Sequence, residues 1–142
     1  MNAEFPLAVH ALVYLLHTQR VTSSQELAKN ICTNPARVRK VLAKLHHAGL
    51  VTAHPGKGSG YLTLPGAEHI CLTDVLAALE ETPISMNWRS GDMDEVCLVS
   101  SGMGIVMDGL YTQMNTACLQ WLETVTIGTI SDQIFKQRGA TR

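Results

Sequence analysis

The stretch NPARVRKVLAKLHHAG, residues 34–49, specifies a helix together with both of its ends. Asn34 has the side-chain oxygen an N-cap needs, Pro35 fits the first helical position where an N–H is spare, and Gly49 suits the residue that closes a helix. Between them Val38, Val41, Leu42 and Leu45 recur at i, i+3, i+4 and i+7, which predicts one buried stripe. The opposite face carries Arg37, Arg39, Lys40, Lys44, His46 and His47 and no acid. Unbalanced cations so close together repel one another unless an anion faces them. The face is therefore either solvated or built for a polyanion.

The flanking segments narrow that choice. GLVTAHPGKGSGYLTL, residues 49–64, reads as a strand from Leu50 to Ala53, a Pro/Gly tip carrying Lys57, and a returning strand from Tyr61 to Leu64. Its glycines do not have the spacing of a phosphate-cradling P-loop or of a dinucleotide fingerprint, and a strand follows them where those motifs need a helix. Glycines at a hairpin tip instead let the backbone come close to a phosphate while Lys57 adds charge. Upstream, the apolar run FPLAVHALVYLLHT, residues 5–18, predicts a buried first helix, with His10 and His17 as polar spots at its edge. Ser23 and Glu26 form a capping box for a short second helix whose inward residues are Leu27, Ala28 and Ile31.

Three helices, a short turn before a basic third helix, and a hairpin make the plan of a winged helix-turn-helix. The expected fold class is mainly α with a small β-hairpin wing and a long dimerisation helix. In that plan the third helix enters the major groove, with Asn34, Arg37 and Arg39 nearest the base edges and Lys40 and Lys44 on phosphate. The wing contributes Lys57, Ser59 and Tyr61, and Ser24 stands at the start of the second helix. Double-stranded DNA is the expected partner. Charge agrees: residues 1–65 hold seven Lys/Arg against two Glu, whereas residues 66–142 hold four against ten Asp/Glu. One half is suited to a polyanion and the other is not.

The second half is of another kind. CLTDVLAALEET, residues 71–82, predicts a short amphipathic helix with Thr73 as cap and Val75, Leu76 and Leu79 inward. Residues 83–97 read as an irregular acidic loop. Beyond it Met103, Met107, Leu110, Met114, Ala117 and Trp121 follow at spacings of 4, 3, 4, 3 and 4, a coiled-coil seam. A first domain of residues 1–66 can hardly cover such a seam, so a two-fold homodimer is expected, reading a near-palindrome with two recognition helices. Residues 67–97 then form a linking helix and sensor loop, and residues 98–142 the dimerisation helix and a last helix after a turn at Gly128. That last helix is a candidate to cross to the partner.

The order of features resembles the Rrf-type bacterial transcriptional regulators, the group containing the IscR, NsrR and CymR proteins. The resemblance rests on SSQELAKNICTNPARVRKVLAKLHHAGLV, the wing GKGSGYLTL, the linking LTDVLAALEET and the closing TIGTISD, and it covers most of the chain. It implies a dimer on operator DNA, usually a repressor. Many relatives hold an iron–sulfur cluster on three cysteines ahead of the long helix. Here that region has only Cys97, in DEVCLVSSGMG, and one thiolate cannot replace the three or four that usually hold a cluster. The chain looks like a cluster-free member, with no cofactor expected.

Cys97 matches one position of the family's cysteine pattern and lies at a predicted helix N-terminus, which favours a thiolate, while Asp94 and Glu95 oppose it. It is the candidate sensor, by oxidation or as a disulfide across the dimer; the other reading is an ordinary half-buried thiol. Cys32 is read as a small core residue, and Cys71 and Cys118 as packing. A second reading replaces redox chemistry with a small-molecule effector in a pocket between the linking helix and the seam, lined by Met86, Trp88 and the Met-rich helix. A third is a winged-helix module for protein partners, separable from DNA binding by replacing Arg37 and Arg39. No nucleophile–base pair, metal motif or phosphate loop points to an enzyme. The N-terminal residues lack a secretory signal and no apolar run has membrane-spanning length, so the cytoplasm is the expected compartment.

Overall fold

A computed structural model describes residues 1–139. Its elements are α1 (Glu4–Thr18), α2 (Ser24–Ile31), α3 (Pro35–His47), β1 (Val51–His54), β2 (Gly60–Thr63), α4 (Leu72–Ala78), α5 (Leu98–Leu122) and α6 (Ile127–Gln137). This is a winged helix followed by one long helix and one short one.

α1 is the centre of the core. Ala8, Ala11, Leu12 and Leu15 are fully buried along it, and Leu27 of α2, Val38, Val41, Leu42 and Leu45 of α3, and Val75 and Leu76 of α4 pack around them. Both predicted N-caps form, but the expected capping box is only half made, because the Glu26 carboxylate is taken by Tyr14 and Arg20 instead of the Ser23 N–H. Ser23 Oγ accepts the Glu26 N–H at 3.1 Å, and Asn34 Oδ1 accepts the Arg37 N–H at 2.9 Å. Gly49, at φ +79°, takes the left-handed position after α3.

β1 and β2 pair antiparallel, with Val51 opposite Thr63 and His54 opposite Gly60. The hairpin is fixed to the helices by a second pairing. Thr22 and Tyr61 exchange two backbone hydrogen bonds of 2.9 Å each. For this approach position 60 has no room for a side chain: a Cβ there would lie 2.3 Å from the Thr22 carbonyl oxygen.

Several expectations are corrected. The strands lie one residue away from the predicted 50–53 and 61–64. Cys71, not Thr73, caps α4. A bridge to Thr126 holds Cys71 extended, and its N–H donates to the Asp74 carboxylate at 3.0 Å. Gly128 is no turn; it lies in the first turn of α6, capped by Thr126, where a Cβ would lie 2.8 Å from the Glu68 carbonyl oxygen. α6 packs against α1 of its own chain, where the Phe135 ring lies 4.8 Å from that of His17. Cys32 is exposed rather than core, because it ends α2 in the left-handed conformation at φ +65°. The predicted unit 98–142 extends past the described residues at 140–142.

α5 spans 25 residues, roughly 37 Å. Only Gly104 and Leu122 are buried on it. No helix among the described residues is long and apolar enough to cross a membrane.

Candidate nucleic-acid interface

Position on α3 sorts the predicted cations into two groups. Val38, Val41, Leu42 and Leu45 point to the core, so Ala36, Lys40, Ala43 and His47 face away from it, with Arg39 and His46 on one flank and Arg37 and Lys44 on the other. His46 Nδ1 lies 3.1 Å from the Val51 carbonyl oxygen, which places its flank beside the wing. Arg39 is on that side. It donates to Ser24 Oγ at 3.3 Å, and the two line a small cleft with His54, Ser59, Gly60 and Tyr61.

Ser24 and Tyr61 differ from the other site residues. Ser24 is 8% exposed, so its hydroxyl braces Arg39 rather than standing open to solvent. Tyr61 is half-buried against the core and joins wing to helix through its backbone. At the tip, Gly56 and Gly58 have φ of +92° and +75°, and the Ser59 N–H closes the turn on the Gly56 carbonyl at 3.0 Å. Lys57 stands between the two glycines, exposed. Only residues tolerant of left-handed backbone can carry the lysine out in this way.

The expectation of a face without acid is corrected by tertiary structure. Glu4, from the first turn of α1, bridges to Lys40 at 3.2 Å and also pairs with Lys44. The Lys44 hydrogen bond, ahead of that from Lys40, holds the Glu4 carboxyl below the usual carboxylate range and raises Lys44 above the ordinary lysine value. Lys44 is consequently a half-buried partner of α1. Lys40, though bridged, keeps 69% of its side chain exposed. Arg37, Arg39 and Lys57 are the exposed cations of α3 and the wing for which no carboxylate partner occurs among the described residues. Sequence spacing along α3 could not reveal Glu4, which lies thirty-odd residues upstream.

Cys97 is the exposed N-cap residue of α5. The backbone N–H groups of Ser100 and then Val99 hold its thiol below the ordinary cysteine range, although no full capping bond closes. Asp94 and Glu95, expected to oppose this, are not among the causes. On α5, Leu110, Met114 and Trp121 are exposed at 45%, 43% and 64%. Met103 and Ala117 are exposed on the same side, but Met107 is half-buried, and Val106, 60% exposed, takes its place along the stripe. The predicted residues thus form an exposed apolar stripe with one member exchanged.

The family model for Rrf2, described as an iron-dependent transcriptional regulator, matches residues 1–133. No curated protein matches the chain. Among solved structures the chain is similar to a candidate transcriptional regulator from Lactobacillus plantarum at 22% identity and a TM-score of 0.80, covering 98% of this chain and 97% of that one. It is similar to T. potens IscR at 15% identity and a TM-score of 0.72, covering 97% and 90%. CymR, the global cysteine regulator of B. subtilis, aligns at 17% identity and a TM-score of 0.68, covering 94% and 96%. These likenesses establish the winged-helix fold. The family's description names iron. Cys97 is the one cysteine between residues 83 and 110, and among the described residues no three His, Cys, Asp or Glu stand together as metal ligands.

Proposed function

The chain belongs to the Rrf2 family of transcriptional regulators, and on that premise we propose that it is a homodimeric repressor that reads a near-palindromic operator and is switched without a resident iron centre. One observation carries this reading. Arg39, braced by Ser24, shares a cleft with the wing residues Ser59 and Tyr61, so recognition helix and wing present one continuous polar surface. Asn34, Arg37, Arg39 and Lys40 then meet the major groove, and Lys57 meets phosphate or the minor groove. Two copies pairing along Met103, Val106, Leu110, Met114, Ala117 and Trp121 place two such surfaces on one duplex. Met107 is half-buried and faces the cavity under the neighbouring loop.

The signal is thiol oxidation at Cys97. Its thiolate attacks a peroxide oxygen and becomes a sulfenic acid, and the second oxygen leaves as hydroxide. A change at the first turn of α5 reaches the dimer seam directly. The test is fluorescence anisotropy on DNA from upstream of the protein's own gene, with reduced protein and then with protein treated with mild peroxide. The expected result is tight, salt-sensitive binding that is lost on oxidation, restored by reductant and indifferent to peroxide in Cys97→Ser. Equal binding in both states would end the redox reading. A binding constant independent of salt would end the DNA reading, and protein capture surviving Arg37→Ala with Arg39→Ala would favour a protein-interaction module. A small-molecule effector is the second reading, favoured by a cavity beside α5.

A further inference from the structure

The loop before α5 is irregular in sequence yet fastened along that helix at three levels. At its start, Asn115 makes a two-point amide pairing with Ile84: its Oδ1 accepts the Ile84 N–H at 2.8 Å and its Nδ2 donates to the Ile84 carbonyl at 2.9 Å. Two turns nearer the N-terminus of α5, Arg89 Nη1 bonds Asp108 Oδ2 at 2.8 Å. Its guanidinium lies close enough over Gly104 that a Cβ there would meet Arg89 Nε at 2.2 Å. Last, the Asp92 N–H donates to Ser100 Oγ at 3.2 Å, and Gly91, at φ +81°, passes close to the Ser100 carbonyl. Residues 84–92 are a strap, fixed to α5 at Asn115, Asp108 and Ser100.

Between the fastenings the strap stands off the helix. A cavity of about 760 Å³ lies beneath it, lined by Ile84, Met86, Trp88, Met103, Met107 and Tyr111. That volume is in the range of sites for small organic ligands. Its chemistry selects among them. The walls are mostly thioethers and two aromatic rings, which suit a flat, largely apolar body, with the uncharged polar groups of Asn87, Ser90 and Thr112 among them. The charged groups at its edge, Arg89 and Asp108, are already paired, so no net charge awaits a ligand ion. Trp88 is 73% exposed and Met86 58%, large apolar groups at the mouth that nothing among the described residues covers.

The geometry points to a binding site for an uncharged, planar aromatic molecule between the strap and α5, with Trp88 closing over it. Met103 belongs both to this cavity and to the exposed seam, so occupancy presses on the surface through which two copies would pair. The inference rests on the proposed function only for what the ligand would switch. Binding itself can be read without DNA.

The experiment uses the full chain and two probes with one skeleton: neutral N-phenyl-1-naphthylamine and its anionic relative 1-anilinonaphthalene-8-sulfonate, each followed by fluorescence enhancement. The expected result is saturable binding of the neutral probe, about tenfold tighter than the anion, and weakened about tenfold by Trp88→Ala and by the cavity-filling Met107→Trp. Trp88 lies in an exposed loop, so its replacement leaves the core intact even where Met107→Trp perturbs it. Ile134→Lys is the control, since a second apolar cavity of about 500 Å³ lies between α1 and α6. Equal affinity for the two probes, or a signal that follows Ile134→Lys and ignores Trp88→Ala, overturns the site. DNA affinity is then measured with and without saturating neutral probe. DNA binding that persists unchanged while the probe binds with the expected pattern removes the switching role and leaves the site. Failure of DNA binding in both conditions would strike the proposed function alone.

Discussion

Glu4 sets how much of the basic charge on α3 a phosphate backbone can meet. Its carboxylate is shared by Lys40 and Lys44, so three cations per head, Arg37, Arg39 and Lys57, remain for DNA without competition. If each of the three also neutralises a phosphate as it enters the groove, a dimer displaces counterions from about six phosphates and log affinity should fall with log salt at a slope of roughly −5. Glu4→Gln should release both lysines, steepen that slope, and tighten binding about tenfold near 0.1 M salt for each further phosphate reached. Anisotropy titrations across a salt series test this. An unchanged slope would place both lysines off the DNA. The same residue has a pH signature. Its folded pKa is depressed, so its contribution to stability is fully present above the usual glutamate value and is lost as pH falls through the folded value. Urea unfolding should therefore separate wild type from Glu4→Gln at pH 7, and the difference should close as pH falls below about 4.

Among the elements, the wing depends on the absence of one side chain. The Thr22–Tyr61 pairing brings backbone so close to position 60 that Gly60→Ala must push the hairpin away. The obstacle is carbonyl backbone, not a flexible side-chain end, so the expected cost is about 3 kcal/mol, read as a lower urea midpoint. Gly104→Ala meets the side chain of Arg89 instead of backbone and should loosen that fastening of the strap while leaving global stability nearly unchanged. Local signals made the elements legible: the Ser23 and Asn34 caps, the α3 stripe, the glycines at the hairpin tip and the continuous apolar length of α1 are all written within a few residues of where they act. Contacts between distant segments were not legible. Glu4 meeting Lys44, Arg89 lying over Gly104 and Gly128 abutting Glu68 pair positions many residues apart with no periodic trace. The exchange of Met107 for Val106 has the same origin, since a heptad count records spacing on α5 but not the strap covering one side of it.

At the scale of the whole molecule, α5 presents an apolar stripe that the described residues leave open. α6 turns back onto α1, and the strap covers only the side bearing Met107, Tyr111 and Asn115. Leu110 and Met114 stand in the middle of what remains, exposed, near the strap anchors Asp108 and Asn115 along α5 but making none of the strap's fastenings themselves. A double replacement, Leu110→Glu with Met114→Glu, places four carboxylates in a two-fold seam while altering no buried core position. Sedimentation should then report a monomer whose circular dichroism matches the parent. Each head would keep Arg37, Arg39 and Lys57, so binding to a single half-site should be unchanged. Affinity for the two-site operator should fall at least about a hundredfold, because the second head no longer arrives at high effective concentration. Loss of half-site binding as well would mean that α5 supports the DNA-reading domain itself. An undiminished affinity for the full operator would mean that the heads are paired through some other surface.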